Sequence, residues 1–165
     1  MAAAEARMAE ERAKKAAAAL KETSDKQRDQ QLRDYLRTKI PARIQRDMDS
    51  FLAGEFHGPE QSPLTYVGYH VGVARGLSER DRIERLEVCF RVPIPNILYA
   101  EYKEWGEPAT TQRLNAMIAH IGRHAAIRST QPKYERAVAE WEADRAWLLS
   151  SLRPKAETYS IRWTG

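Results

Sequence analysis

Large apolar side chains are sparse over the first 31 residues and then recur at helical spacing through most of the chain. Residues 2 to about 38 are dominated by Ala, Glu, Lys, Arg and Gln, all strong helix formers. Glu10 with Lys14 and Glu11 with Lys15 are i,i+4 pairs in the favourable order. Before Leu32 the larger apolar residues are Met8 and Leu20, too few for the a/d seam that a coiled coil sustains over several heptads. The pattern predicts a long helix that is polar all round, with a break at Thr23-Ser24-Asp25. Such a helix is a solvated extension or a segment that folds on a partner.

From Leu32 the pattern changes, and a compact domain is expected over 32–165 behind an extension of 1–31. Leu32, Tyr35, Leu36 and Ile40 share one helical face, which resumes after Pro41 with Ile44, Met48, Phe51 and Leu52. Pro41 either opens a new helix or kinks a continuous one. Residues 62–76 read two ways. Val67, Tyr69, Val71 and Val73 alternate as in a half-buried strand. Ser62-Pro63 is instead a helix start and Gly76 a helix stop, with Leu64, Val67, Val71 and Ala74 as an apolar stripe. Helix is preferred, with strand left open.

Further helices are predicted from Ser78 to Pro93, from Asn96 to Trp105, from Thr110 or Thr111 to about Arg128, and from about Pro132 onward. Their inward residues are Ile83, Leu86, Val88 or Cys89, and Phe90; then Ile97, Leu98, Tyr102 and Trp105. Leu114, Met117, Ile118, Ile121 and Ala125 follow, and last Val138, Trp141, Leu148 and Leu149. Tyr159, Ile161 and Trp163 alternate as in a short extended tail. The expected fold is all-α: a compact helical domain preceded by a long charged N-terminal helix.

Composition narrows the class. The 165 residues are 42% hydrophobic and 30% charged, which suits a globular domain with one highly solvated part. No run of about 18 uncharged apolar residues exists, so no membrane span is expected. A lone Cys89 and the absence of an apolar leader point to the cytoplasm.

The net charge of +4 is modest, and its placement matters more than its sum. Pro108 to Tyr134 holds four cations, two histidines and no carboxylate. With Leu114, Met117, Ile118, Ile121 and Ala125 inward, Arg113, His120, Arg123, His124 and Arg128 are expected on the outer face. That cationic face could follow a phosphate backbone, or meet carboxylates of neighbouring helices as an ordinary solvated surface. Tyr99–Trp105, Gly106 and the helix after Pro108 resemble a helix-turn-helix in outline, although Tyr102 stands where a small residue is usual. The candidate nucleic-acid-binding residues are therefore Thr110, Thr111, Gln112, Arg113, Arg123, Arg128 and Lys133.

Catalytic patterns are absent. His120 and His124 have the i,i+4 spacing of metal ligands, but no third ligand is evident in sequence. Two exposed histidines, no metal and no cofactor are expected. Gly68-x-x-x-Gly72-x-x-x-Gly76 lacks the Lys-Ser/Thr ending of a phosphate loop. Glu84, Glu87, Glu140 and Asp144 read as helix-surface charges, and Cys89 as a small core residue.

Gly68-Tyr-His-Val-Gly72, Gly76-Leu-Ser-Glu-Arg80 and Glu104-Trp-Gly-Glu-Pro108 with Arg113-Leu114 resemble a recurring C-terminal segment of uncharacterised bacterial proteins. The resemblance covers about residues 64–150. It implies a bacterial source and a discrete domain, and it carries no activity. The expected function is that of a non-enzymatic nucleic-acid-binding protein using the basic helix. The alternative is a protein-interaction module engaging its partner through the N-terminal helix: an accessory subunit or inhibitor of a larger complex, as phage or mobile elements use.

Overall fold

The computed structural model describes residues 2–55 and 60–156, and within the first helix the side chains of residues 6–23, 25–27 and 30. The chain divides into two units, residues 1–39 and 40–165. Among the described residues the fold is all-α, without a strand. None of the described helices is long and apolar enough to cross a membrane.

The first unit is α1 (Ala2–Thr38), 37 residues long. Its described side chains are all exposed, Met8 and Leu20 included. Glu10–Lys14 at 2.9 Å and Glu22–Lys26 at 2.8 Å are exposed i,i+4 pairs, each worth a few tenths of a kcal/mol. The expected break at Thr23–Asp25 does not occur. The Thr23 hydroxyl donates to the Ala19 carbonyl at 2.9 Å, so its polar side chain bonds back into its own helix. The helix runs to Thr38, as its composition predicts.

In the second unit Pro41 opens α2 (Ala42–Leu52), its carbonyl accepting from Ile44 N and Gln45 N at 2.9 and 3.1 Å. Next comes a single turn, α3 (Pro63–Tyr66). Ser62 caps it reciprocally: its hydroxyl accepts from Thr65 N at 3.3 Å, and Thr65 Oγ1 accepts from Ser62 N at 2.7 Å. The start expected at Ser62-Pro63 is present, but the stop at Gly76 is not. Gly68 ends the helix in the left-handed region at φ +73°, with Gly68 N and Tyr69 N returning to Thr65 O and Leu64 O. Any other residue there would be strained at this φ, and its Cβ would lie 2.5 Å from Asp47 Oδ2, so the Asp47 side chain would have to move. The chain then runs irregularly, with Val67 and Tyr69 buried, Val71 partly buried and Val73 exposed.

Then follow α4 (Glu79–Arg91), α5 (Asn96–Tyr102) with a 3-10 turn (Lys103–Trp105), α6 (Thr111–Arg128) and α7 (Glu135–Trp147). A π-helical turn, Leu148–Leu152, continues α7. Ser78 caps α4 through Asp81 N, and Thr110 caps α6 through Arg113 N. One core joins Ile44, Met48 and Phe51 to Leu86, Phe90, Leu114, Met117, Ile121, Leu148 and Leu152. Ile97, expected inward, is 66% exposed, because Leu98 is the residue of short α5 that faces the core. Tyr159, Ile161 and Trp163 lie outside the described residues.

The larger departure from expectation is on α7. Asp144, read as a surface charge, is 1% exposed. Arg82 grips it with two hydrogen bonds, Nε to Oδ2 at 2.8 Å and Nη2 to Oδ1 at 3.2 Å. The Tyr69 hydroxyl donates to the same Oδ2 at 2.7 Å. One turn away, Glu140 accepts from Gly72 N at 2.7 Å and pairs with Arg136 at 3.0 Å. Arg85 donates to the Val67 carbonyl at 3.1 Å and pairs with Asp47. These contacts pin residues 67–72 to α4 and α7 where regular backbone bonding is absent.

Removing one partner from a buried pair leaves the other charge uncompensated. Asp144→Ala is therefore expected to lower unfolding free energy by about 3–5 kcal/mol. Tyr69→Phe should lower it by about 2 kcal/mol, as for a hydrogen bond to a charged group. Urea denaturation measures both. A loss below about 1 kcal/mol for Asp144→Ala would give the clamp no more weight than a surface ion pair.

Candidate metal centre and its cleft

The start of α6 uses its polar residues to close the corner that precedes it. Thr110 Oγ1 accepts from Arg113 N at 3.2 Å and donates to Glu107 O at 2.7 Å. Gln112 Nε2 donates to Glu104 O at 2.8 Å, and its side chain lies so near Gly106 that a Cβ there would sit 2.7 Å from Gln112 Cδ. Gly106 itself has φ +71°.

Arg113 is 1% exposed. Its Nη1 donates to Cys89 O at 2.9 Å and Val92 O at 2.8 Å, its Nη2 to Gly106 O at 2.8 Å, and its Nε reaches Trp105 O at 3.4 Å. Burial holds this guanidinium below its ordinary pKa, with the Cys89 thiol and Glu107 acting the other way. Burial likewise pushes the Cys89 thiol up to about 12, so Cys89 is a core thiol.

The expectation that Arg113 lies on the outer face is thus overturned: the corner before α6 covers it, and the guanidinium satisfies carbonyls inside. The Thr110 hydroxyl and the Gln112 amide are bonded to backbone groups of the same corner. Thr111 is half-buried, Arg123 is exposed, and Arg128 and Lys133 lie elsewhere, at the cleft described below.

The two histidines of α6 are not both exposed. His120 is 5% exposed and packs edge-on against Trp105, ring centroids 5.4 Å apart. His124 stacks on Trp141 of α7 at 5.6 Å. Their Nε2 atoms are 3.2 Å apart. A third group joins them from 60 residues earlier in the chain. Glu60 Oε2 lies 2.7 Å from His124 Nε2, and Oε1 lies 4.0 Å from His120 Nε2. The three side chains are a set able to hold a metal ion. Glu60 is kept in place by its neighbours: the Tyr102 hydroxyl donates to Gln61 O at 2.9 Å, and the Ser62–Thr65 cap follows at once.

Burial and neighbouring charges disfavour the protonated form of both imidazoles. Burial, then the neighbouring His124, lowers His120 to about 4. His124 is lowered too, first by burial and then by Arg128 and Arg123, with Glu60 opposing. Arg128 Nη1 approaches His124 Nδ1 at 2.9 Å. A guanidinium only donates, so Nδ1 is the acceptor, and neutral His124 carries its proton on Nε2, facing Glu60.

This cluster opens on a cleft of 740 Å³ between the residues around 60–75 and helices α6 and α7. Tyr69, Gly72, Ile121, Ala137 and Trp141 form part of its lining. Arg75, Arg128, Lys133 and Arg136 also line it, against Glu60 as the one carboxylate among the described lining residues. Arg128 lies 5.3 Å from the Tyr134 ring and 5.6 Å from Trp141, and Lys133 lies 4.9 Å from Tyr134. The sequence showed two of the three donors of this centre in the His120/His124 spacing. Glu60 carried no local signal, since only the folded chain brings it to α6.

Comparison of the chain with protein-family models, with curated proteins and with solved structures finds no match.

Arg113 and Arg123 separate inner from outer cations. Arg113→Met should cost about 3 kcal/mol in urea denaturation, because buried carbonyls lose their charged donor. Arg123→Ala should stay within about 0.5 kcal/mol, as at an exposed site. Equal effects at the two positions would contradict the placement of Arg113 in the core.

Proposed function

We propose that the chain is a non-enzymatic binding protein whose cleft captures a small anionic ligand bearing a phosphate or similar group. The observation that carries this is the set of cations on the lining, with Arg128 and Lys133 held beside aromatic rings there and Arg136 paired with Glu140. The volume of 740 Å³ falls in the range of small-molecule sites, about 300–1,000 Å³. Trp141 and Tyr134 hold Arg128 and Lys133 at the cleft through their ring faces. The phosphate chemistry expected of the basic helix is retained here, but it moves from a helix face to a cleft. A nucleotide or other phosphorylated molecule suits this volume better than a duplex does.

The test is calorimetric titration of chelator-treated protein with pyrophosphate and with adenosine monophosphate. Arg128→Ala combined with Lys133→Ala should weaken binding at least about tenfold, or about 1.4 kcal/mol. Arg123→Ala, outside the cleft, should leave it unchanged. Absence of binding by either anion contradicts the proposal. Retention of a DNA duplex that depends on Arg123 would instead favour the basic face as a nucleic-acid surface.

A second reading, docking of a protein partner through α1, is favoured by one observation: the described side chains of residues 6–27 are all exposed. Deleting residues 1–39 should then abolish capture of the partner while the melting temperature of the second unit and its anion binding stay unchanged. A partner retained by the truncated chain would exclude α1 as its docking element.

A further inference from the structure

We infer that Glu60, His120 and His124 form a divalent-metal site, with zinc the best fit, in the wall of the cleft. Two imidazole nitrogens and a carboxylate oxygen are a zinc-type donor set, and three protein ligands leave a fourth position for water or ligand. In a tetrahedral site with metal–nitrogen bonds of about 2.0–2.1 Å, neighbouring donor atoms are about 3.3 Å apart. The two Nε2 atoms are 3.2 Å apart. The Glu60 oxygens, at 2.7 and 4.0 Å from them, straddle that spacing, and a small rotation of an exposed-edge carboxylate adjusts both. The histidines sit one helical turn apart on α6, and ring contacts with Trp105 and Trp141 fix both planes. The donor atoms are thus held together before any ion arrives, which lowers the ordering cost of binding.

The competing arrangement is the hydrogen-bonded chain already described, Arg128 to His124 to Glu60. A metal on Nε2 replaces its proton, and neutral His124 then carries the proton on Nδ1. Nδ1 can no longer accept from Arg128. Metal binding therefore releases the Arg128 guanidinium, which lines the cleft, toward whatever anion occupies it. Arg128 is thus a competitor of the metal in the empty site. This inference does not depend on the anion titrations, which use metal-free protein.

The experiment is titration of the full, chelator-treated chain with zinc chloride, followed by cobalt(II) as a spectroscopic substitute. One zinc per chain is expected, with a dissociation constant at or below about 10 µM, and cobalt should give the intense visible absorption of a four-coordinate site. Because His120 is buried and its replacement can unfold the chain, the deciding variants are Glu60→Gln and His124→Asn, each checked for an unchanged melting temperature. Each should weaken zinc binding by more than about tenfold. Arg128→Leu should bind zinc at least as tightly as the parent chain. No zinc binding, or binding that survives intact in either Glu60→Gln or His124→Asn, overturns the site.

Discussion

The structure of the second unit turns on one buried carboxylate. Asp144 receives both arms of Arg82 and the Tyr69 hydroxyl, and so ties α4, α7 and the chain after α3 at a single point. That chain has one helical turn and then little regular hydrogen bonding, so on its own it would not hold a shape. Asp144, with Glu140 on Gly72 N and Arg85 on Val67 O, supplies the missing constraint. The energetic logic is that of a buried pair. Assembling it gains little over an apolar core, whereas breaking it is costly, so it selects one arrangement of the segment. The cleft exists because this segment stands against α6 and α7.

The same principle governs the acid-free window from Pro108 to Tyr134. Arg113 pairs with no carboxylate among the described residues, yet it is almost fully enclosed. Its donors meet carbonyls left open by the end of α4 and by the 3-10 turn at Trp105. A helix end turned inward leaves such carbonyls in want of partners, and a guanidinium satisfies several at once. The window lacks acids partly because one of its cations is structural. Arg128 and Lys133 face the cleft, where aromatic rings and a histidine surround them, and Arg123 alone of the four is exposed without a role in either place. Net charge in sequence therefore overstated the cationic surface.

Where polarity and burial agree, the fold was legible. The stripe Leu114, Met117, Ile118, Ile121 and Ala125 is buried as its period requires, and the caps at Ser62, Ser78 and Thr110 start their helices. Misreadings cluster where a polar side chain is inside. Arg113, Asp144 and His120 were placed on surfaces because periodicity sorts residues by polarity and cannot foresee a partner distant in sequence. The 62–76 segment failed differently. Its start signal was sound, but Gly68 in the left-handed region stopped the helix after one turn. The candidate centre shows both limits: the histidine spacing was visible, while Glu60 and the burial of His120 belong to tertiary structure.

The account stands on the convergence of imidazole, carboxylate and guanidinium groups at one wall of the cleft. Its most direct test is a crystal structure grown with zinc and pyrophosphate, read from anomalous diffraction at the zinc edge. One peak is expected between His120 Nε2, His124 Nε2 and the Glu60 carboxylate, with Arg128 turned from His124 Nδ1 toward the anion. Zinc found only at other positions, with Arg128 still donating to His124 and the cleft without anion, would contradict it.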